Sequence, residues 1–199
     1  MKLIDQLPPP NGERIWAIGD SWTAGAGVKK GEEWPNQLSK ILNEPVYNMG
    51  IVGQSLEAVC DILKEAIKEY EKPDVICLLD CKLSNSTYRI IKGKVFHITR
   101  LFIDRLIRSG NKTLLGYDYS WYKEQIENNI KTYNERKNNL IEWANSNDIV
   151  LIVRNKEGLV DRSWDRIHGG PLTHIVYAEW FAHRIVYEGI ERVEKCAKV

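Results

Sequence analysis

Apolar residues along the chain follow two patterns that alternate from segment to segment. Short continuous apolar runs suit strands that are covered on both faces. Between them lie longer segments whose apolar residues recur every three or four positions, as in amphipathic helices. The predicted strands are 14–18, 45–48, 75–79, 113–117 and 149–153. The predicted helices are 34–42, 55–70 with Ser55 as N-cap, 94–109, 121–145 and 174–195.

This alternation predicts an α/β fold with a parallel sheet between two layers of helices. No repeat or linker divides the chain, so we expect one domain over residues 1–199, with 1–13 as an N-terminal extension. Open parallel sheets bind their ligands beyond the carboxyl ends of the strands. Candidate functional residues should therefore lie in the segments that follow the strands: 19–27, 48–55, 80–89, 117–121 and 154–170.

Charge and composition exclude several classes of function. The chain has 28 basic and 27 acidic residues, which argues against a nucleic-acid-binding protein. No apolar stretch has the length of a signal peptide or a membrane span. The four cysteines lack the paired spacing of a zinc site, so we expect no metal. Free thiols without a signal sequence predict a cytoplasmic protein.

The first chemically suggestive segment is Gly19-Asp20-Ser21, directly after the first predicted strand. A serine in that position can project its hydroxyl into the cleft and keep its own backbone N–H free, as an acyl-transfer nucleophile requires. The same residues also form good turns. The dinucleotide-binding, phosphate-loop and α/β-hydrolase elbow motifs are all absent from this segment.

A base for such a serine is available in the loop after the last strand, where Asp165 and His168 are three positions apart. This spacing lets the carboxylate hold one ring nitrogen of the histidine while the other nitrogen faces the serine. A loop histidine is equally compatible with a plain surface position. His174, at the start of the last helix, is the rival candidate. His97 and His183 lie in helical patterns and are assigned to packing or solvent.

A third segment, 48–55, follows the second strand and contains Asn48, Gly50 and Gly53. Gly53 directly precedes a helix, where its N–H can face an anion with support from the helix dipole. A turn that needs glycine for its backbone angles explains the residue equally well.

In their order and context, these three segments resemble the SGNH (GDSL) hydrolases over about residues 15–190. The resemblance implies a flavodoxin-like three-layer α/β/α sandwich with a five-stranded parallel sheet. It also implies hydrolysis of lipid, sugar or small acyl esters without a metal or organic cofactor. By the same resemblance Ser21 is the nucleophile, Asp165 and His168 complete the triad, and the N–H groups of Ser21 and Gly53 bind the oxyanion.

One block of the family pattern is altered. The family carries Gly-x-Asn-Asp after the third strand, and its Asn donates to the oxyanion. The simplest alignment places Lys82 at that position, while a longer loop would bring in Asn85, or Arg89 would supply positive charge. Losing one such donor costs about 100- to 1000-fold in turnover. Variation of this block is a feature associated with divergent, often phage-encoded, members.

The sequence thus predicts a serine ester hydrolase acting on a small-molecule ester or an acylated sugar. The alternative is a weakly active or inactive binding module for carbohydrate or protein, which the altered block favours. Acyl transfer instead of hydrolysis also stays open. Aromatic side chains near the predicted strand ends are candidates for a substrate pocket: Trp22, Trp34, Trp164, Tyr119 and Trp121.

Overall fold

The computed structural model describes residues 2–80, 86–92, 94–110, 113–114, 117–155, 159–165 and 168–196, and of 117 and 188–196 it describes the backbone alone. A short 3-10 helix, Leu3–Gln6, precedes the strands and helices. The strands are β1 (Ile15–Gly19), β2 (Val46–Gly50), β3 (Val75–Asp80), β4 (Ser86–Ile91), β5 (Lys94–Thr99), β6 (Thr113–Leu114), β7 (Tyr117–Asp118) and β8 (Val150–Asn155). The helices are α1 (Trp34–Leu42), α2 (Leu56–Glu69), α3 (Arg100–Arg108), α4 (Tyr119–Lys131), α5 (Tyr133–Ser146) and α6 (Pro171–Cys196).

The central sheet is parallel, with the strand order β2-β1-β3-β8. Gly19 at the end of β1 pairs with Gly50 of β2 on one side and with Leu79 of β3 on the other. Asp80 of β3 pairs with Asn155 of β8. The loops after β1, β2 and β8 therefore leave the sheet at the same edge, as the prediction requires.

Successive residues of each central strand pack into different cores, which is why the strands read as continuous apolar runs. In β1, Trp16 and Ile18 join one core with Leu63 of α2 and Leu140 of α5. Between them, Ala17 points into a second core with residues of α1 and α6. The sheet is thus covered by helices on both faces, which confirms the predicted three-layer α/β/α architecture.

The prediction of a fifth sheet strand at 113–117 is wrong. Thr113–Leu114 pairs antiparallel with Tyr117–Asp118, apart from the central sheet. Leu114 packs into a third apolar cluster, and its carbonyl accepts a hydrogen bond from the Tyr122 hydroxyl at 3.0 Å. Leu114 therefore has its contacts with β7, α4 and the third cluster, and it is not a strand residue of the central sheet. Within the described residues the central sheet has four strands.

The predicted helix 94–109 also needs correction. Residues Lys94–Thr99 form β5, which pairs antiparallel with β4, and the helix begins only at Arg100. The segment is rich in β-branched and aromatic residues, which favour strands. Thr99 then caps α3, because its hydroxyl accepts a hydrogen bond from the Phe102 N–H at 3.2 Å. The predicted helix 121–145 is divided as well, since α4 ends at Lys131 and α5 begins at Tyr133.

The N-terminal residues, predicted as an extension, pack against the main body. Leu3 and Ile4 are buried in the core that contains α2. The Ile4 N–H donates to Oε2 of Glu65 at 3.0 Å, and Gln6 Oε1 lies 3.2 Å from Nε2 of His97 in β5. Among the helices of the described ranges, none combines the length and apolar character that a bilayer crossing requires.

Candidate active site

Ser21 lies in a tight turn that directly follows β1. The Asp20 carbonyl accepts hydrogen bonds from the N–H groups of Thr23 and Ala24, both at 3.0 Å. Its carboxylate accepts another from the Trp22 N–H at 3.0 Å. These bonds form a turn that contains Ser21. The segment is therefore a turn, as its residue types allow, and this does not prevent Ser21 from being the nucleophile.

Asn48, in the middle of β2, holds this turn in place, a role that the sequence analysis did not assign. Its side-chain NH₂ donates to the Thr23 carbonyl at 3.0 Å, and its side-chain oxygen accepts from the Gly50 N–H at 2.9 Å. Gly50 packs so closely against Thr23 and Ala24 that a Cβ atom would clash with their backbone. Segment 48–55 therefore supports the serine turn through both Asn48 and Gly50.

Asp165 and His168 lie in the loop between β8 and α6. Nδ1 of His168 is 2.6 Å from Oδ2 of Asp165, and the His168 backbone N–H donates to Oδ1 at 3.1 Å. The Ser163 hydroxyl donates to the same carboxylate. Ser163 also closes the loop, because its N–H donates to the His168 carbonyl at 3.1 Å. The carboxylate is thus fixed by three groups of its own loop.

The structure brings the three predicted residues together in one hydrogen-bonded line. Nε2 of His168 lies 2.8 Å from Oγ of Ser21, on the ring edge opposite the nitrogen that faces Asp165. A carboxylate can only accept, so Nδ1 carries the proton in the neutral ring and Nε2 presents its lone pair to the serine hydroxyl. This arrangement can remove a proton from Ser21 and return it later.

Two predicted oxyanion donors, the backbone N–H groups of Ser21 and Gly53, lie in the loops that follow β1 and β2. Within the described ranges, neither the Ser21 N–H nor the Gly53 N–H meets a hydrogen-bond acceptor. Gly53 has a φ of +76° in the turn before α2, a conformation that favours glycine. Ser55 caps α2 as predicted, because its hydroxyl accepts from the Ala58 N–H at 3.2 Å.

The altered third block of the family pattern, residues 79–89, lies partly within the described residues. Lys82 and Asn85, the two predicted replacement donors, lie outside the described residues. Arg89, the third alternative, lies in β4, where its guanidinium stacks 3.7 Å from the centre of the Trp121 ring. The β4–β5 hairpin packs against the turn that contains Gly53, since a Cβ on Gly53 would lie 3.3 Å from Cβ of His97.

The three tryptophans predicted to contact substrate differ in exposure. Trp34 is 0% exposed, and its ring stacks on Phe181 with centroids 4.6 Å apart. Trp22 is 4% exposed and contacts the His168 ring edge-on at 5.7 Å. Trp164, next to Asp165, is 80% exposed. A substrate platform needs an open ring face, so the structure excludes Trp34 and Trp22 from that role and leaves Trp164.

Sequence reasoning missed a clasp between Asp161 and the start of α6. The Asp161 carboxylate accepts hydrogen bonds from the N–H groups of Leu172 and Thr173 at 3.1 and 2.8 Å, and from the Thr173 hydroxyl at 2.8 Å. Burial opposes ionisation of Asp161, but these hydrogen bonds outweigh it and lower the pKa of the carboxyl. Asp161 therefore caps α6 from the loop that carries Asp165 and His168.

His174, the rival base, has a different partner. Its Nδ1 accepts a hydrogen bond from the Trp34 N–H at 3.0 Å, and the side chain is 0% exposed. Burial lowers its pKa to about 4. His97 is also shielded, and burial lowers its pKa to about 4. Of these histidines, His168 is the one that contacts Ser21.

No protein-family model and no curated protein matches the chain. Among solved structures it is similar to an acetyl xylan esterase from Butyrivibrio proteoclasticus, with 16% identity and a TM-score of 0.46 over 91% of this chain and 65% of that one. A family two carbohydrate esterase from Clostridium thermocellum, solved with cellohexaose, shares 14% identity with a TM-score of 0.49 over 91% and 66%. A member of the lipolytic protein G-D-S-L family from Veillonella parvula DSM 2008 shares 14% identity with a TM-score of 0.41 over 83% and 93%.

This chain therefore spans about two thirds of the length of the two carbohydrate esterases. Identities of 14–16% are too low to transfer an activity from one protein to another. The chemistry of this chain has to be argued from Ser21, His168 and Asp165 themselves.

Proposed function

We propose that the chain is a divergent SGNH-type serine hydrolase that cleaves carboxylic esters through an acyl-enzyme. The observation that carries this proposal is the hydrogen-bonded line from Ser21 Oγ through His168 to Asp165, with distances of 2.8 and 2.6 Å. Such a line activates a serine that would otherwise be a poor nucleophile. It also argues against the alternative of a pure binding module, which has no need of a serine aligned with a histidine base.

In the proposed reaction, Ser21 Oγ attacks the acyl carbonyl carbon while its proton passes to Nε2 of His168. The C–O bond to the alcohol then breaks, and the alcohol leaves with that proton. Water next gives a proton to His168 and attacks the acyl-enzyme. His168 returns that proton to Ser21 Oγ as the acyl C–O bond breaks, which releases the acid and restores the free serine. Asp165 holds the imidazole orientation and stabilises its protonated form throughout.

The negative charge that develops on the carbonyl oxygen needs donors aimed at it. We assign this role to the N–H groups of Ser21 and Gly53, which meet no acceptor within the described part of the chain. Two backbone donors without a third side-chain donor would support slower turnover than a full set. Residues Lys82 and Asn85 stay as candidate third donors.

For the substrate we propose a small acyl group on an alcohol that can be a sugar. The support is Trp164, whose side chain is 80% exposed directly beside Asp165. Open aromatic faces stack well against flat apolar faces, such as those of a sugar ring. We also propose that the protein works in the cytoplasm, since Cys60 and Cys77 are both free thiols.

The proposal is tested by steady-state hydrolysis of p-nitrophenyl acetate and of acetylated sugars. The wild-type protein should turn over at least one of these esters, and Ser21→Ala should abolish turnover while the circular dichroism spectrum stays unchanged. Turnover in Ser21→Ala at the wild-type rate would refute the assignment of the nucleophile.

A further inference from the structure

The proposed reaction leaves the buried imidazole of His174 without a role. His174 lies in the first turn of α6, directly after the loop that carries Asp165 and His168, and it is 0% exposed. A buried polar group costs free energy unless it is hydrogen-bonded. Of the two ring nitrogens of His174, Nδ1 has a hydrogen-bond partner, whereas Nε2 meets none within the described residues. Its position and its contacts indicate what the ring is used for.

The Nδ1 atom of His174 joins the first turns of two helices, α6 and α1. It accepts the Trp34 N–H at 3.0 Å across a sequence separation of 140 residues. Trp34 is the first residue of α1, and the N-cap residue Glu33 makes no side-chain capping bond. His174 therefore takes the part of the N-cap for α1. Because α1 follows the Ser21 loop and α6 follows the His168 loop, this bond ties the two loops together.

Trp22 provides the contact from His174 to the proposed base. Its ring centroid lies 6.4 Å from that of His174 and 5.7 Å from that of His168. Tyr177 of α6 packs on the same indole at 6.2 Å. Gly169, directly after His168, packs so closely that a Cβ there would lie 2.6 Å from Cζ3 of Trp22. The indole thus packs against both imidazoles, and we expect a shift of one ring to move the other.

We propose that His174 is a positioning residue for ester hydrolysis: by accepting the Trp34 N–H it holds Trp22 against His168 and so keeps His168 Nε2 aligned with Ser21. This inference rests on the proposed function, because it assigns His174 a role in that same reaction. It differs from the first interpretation of His174 as a rival base, and it gives Trp22 a role other than substrate contact.

The role requires a neutral imidazole. A protonated ring would present an N–H at Nδ1 to the Trp34 N–H, and two donors cannot form a hydrogen bond. Burial lowers the pKa of His174 to about 4, against the raising effects of Glu33, Asp161 and Glu32 and together with the lowering effect of His168. His174 therefore stays an acceptor over the pH range in which a histidine base works.

Two polar substitutions test whether the hydrogen-bond acceptor for the Trp34 N–H must lie at the position of His174 Nδ1, or whether any nearby acceptor is enough. In His174→Asn the amide oxygen can occupy the place of Nδ1, whereas in His174→Gln the amide lies one carbon further out. His174→Leu removes the acceptor altogether. His183→Leu is the matched control, because His183 is exposed on the same helix and lies outside the proposed machinery.

The readouts are kcat and KM for p-nitrophenyl acetate, with thermal unfolding as the measure of folding. We expect His174→Leu and His174→Gln to lose about 10- to 100-fold in kcat, as for small misplacements of a catalytic group. KM should stay within about twofold, because the substrate does not touch the buried ring. His174→Asn should keep most of the activity, and His183→Leu should match the wild type.

A second measurement tests whether His174 acts through Trp22. If it does, the kcat losses of His174→Gln and Trp22→Phe should not add in the double variant. Additive losses, wild-type kcat in a folded His174→Gln protein, or an Asn variant as poor as the Gln variant would each overturn the inference. Should His174→Leu fail to fold, the Asn and Gln pair decides. Absence of any Ser21-dependent turnover in the wild type would instead identify a failure of the proposed function, and the inference would fall with it.

Discussion

His168 Nε2 lies 2.8 Å from Ser21 Oγ although 147 residues separate the two in the chain. The contact arises because β1 and β8 run parallel in one sheet and deliver their following loops to the same edge. Hydrogen bonds then fix each side separately, from Asn48 on the Ser21 turn and from Ser163 on Asp165. The parallel sheet therefore brings the two loops together, and hydrogen bonds to Asn48 and within the His168 loop then fix the side chains of the site.

The orienting carboxylate gives the first prediction. Asp165→Asn should reduce kcat by about 10⁴-fold, because an amide at this position favours the wrong imidazole tautomer. The unfolding midpoint should change little, since the substituted group keeps its size. Steady-state kinetics and thermal unfolding check both statements. An Asn variant with more than a tenth of the wild-type kcat would contradict the role given to Asp165.

The clasp at the start of α6 gives a prediction about stability. Asp161→Ala removes the acceptor for the Leu172 and Thr173 N–H groups and should lower the free energy of unfolding by about 0.5–2 kcal/mol. Activity should fall too, because the same loop carries His168. Asp161→Asn is the matched control, since Asn is also a good capping residue, and it should keep most of the stability. Urea unfolding of the three proteins measures the difference, and equal stability of the Ala variant would exclude the clasp as a stabilising element.

Much of this arrangement could be predicted from the sequence. The strands β1, β2, β3 and β8 are apolar runs followed by chemically suggestive residues. Residue type and position made Ser21, Asp165 and His168 candidates, and the resemblance to the SGNH hydrolases selected them over the alternatives. Strand β5 was mistaken for part of a helix because Val95, Ile98 and Leu101 also fit a helical spacing, and β4 was not predicted. The spacing of apolar residues within one segment does not show which other segment it will pair with as a strand.

Other features depend on contacts between distant parts of the chain. The burial of Trp34 follows from its stacking on Phe181 of α6, and the role of His174 follows from a bond to Trp34. Neither partner is near in sequence. The capping role of Asp161 was equally hidden, because the residue lies ten positions before the helix that it caps.

The buried histidines give a prediction about pH. Burial lowers the pKa of His174 from 6.5 to about 4, so below about pH 6.5 the unfolded chain takes up a proton that the folded chain does not. The free energy of unfolding should therefore be flat at neutral pH and fall between about pH 6.5 and 4. The contribution of His174 is on the order of 3 kcal/mol. Urea unfolding at several pH values measures the slope, and His174→Asn should make it shallower; an unchanged slope would show that His174 is protonated without penalty in the folded protein.

The exposed tryptophan gives a prediction about specificity. Trp164→Ala should raise KM for an acetylated sugar by about two- to tenfold, equivalent to an aromatic stacking contribution of 0.5–1.5 kcal/mol. KM for ethyl acetate, which has no ring to stack, should not change, and Trp164→Phe should retain most of the effect of the native ring. Since the side chain is 80% exposed, folding should be unaffected. Equal KM values for the sugar ester in all three proteins would remove Trp164 from the substrate site.

The central claim is that His168 activates Ser21 as a nucleophile, and covalent labelling tests it most directly. The purified wild type and Ser21→Ala should be treated with a fluorophosphonate, and the modified peptide located by mass spectrometry. We predict one adduct, on Ser21, that is absent from Ser21→Ala and forms far more slowly in His168→Gln. A folded wild-type protein that takes up no label, or a Ser21→Ala variant that is labelled equally, would contradict the claim.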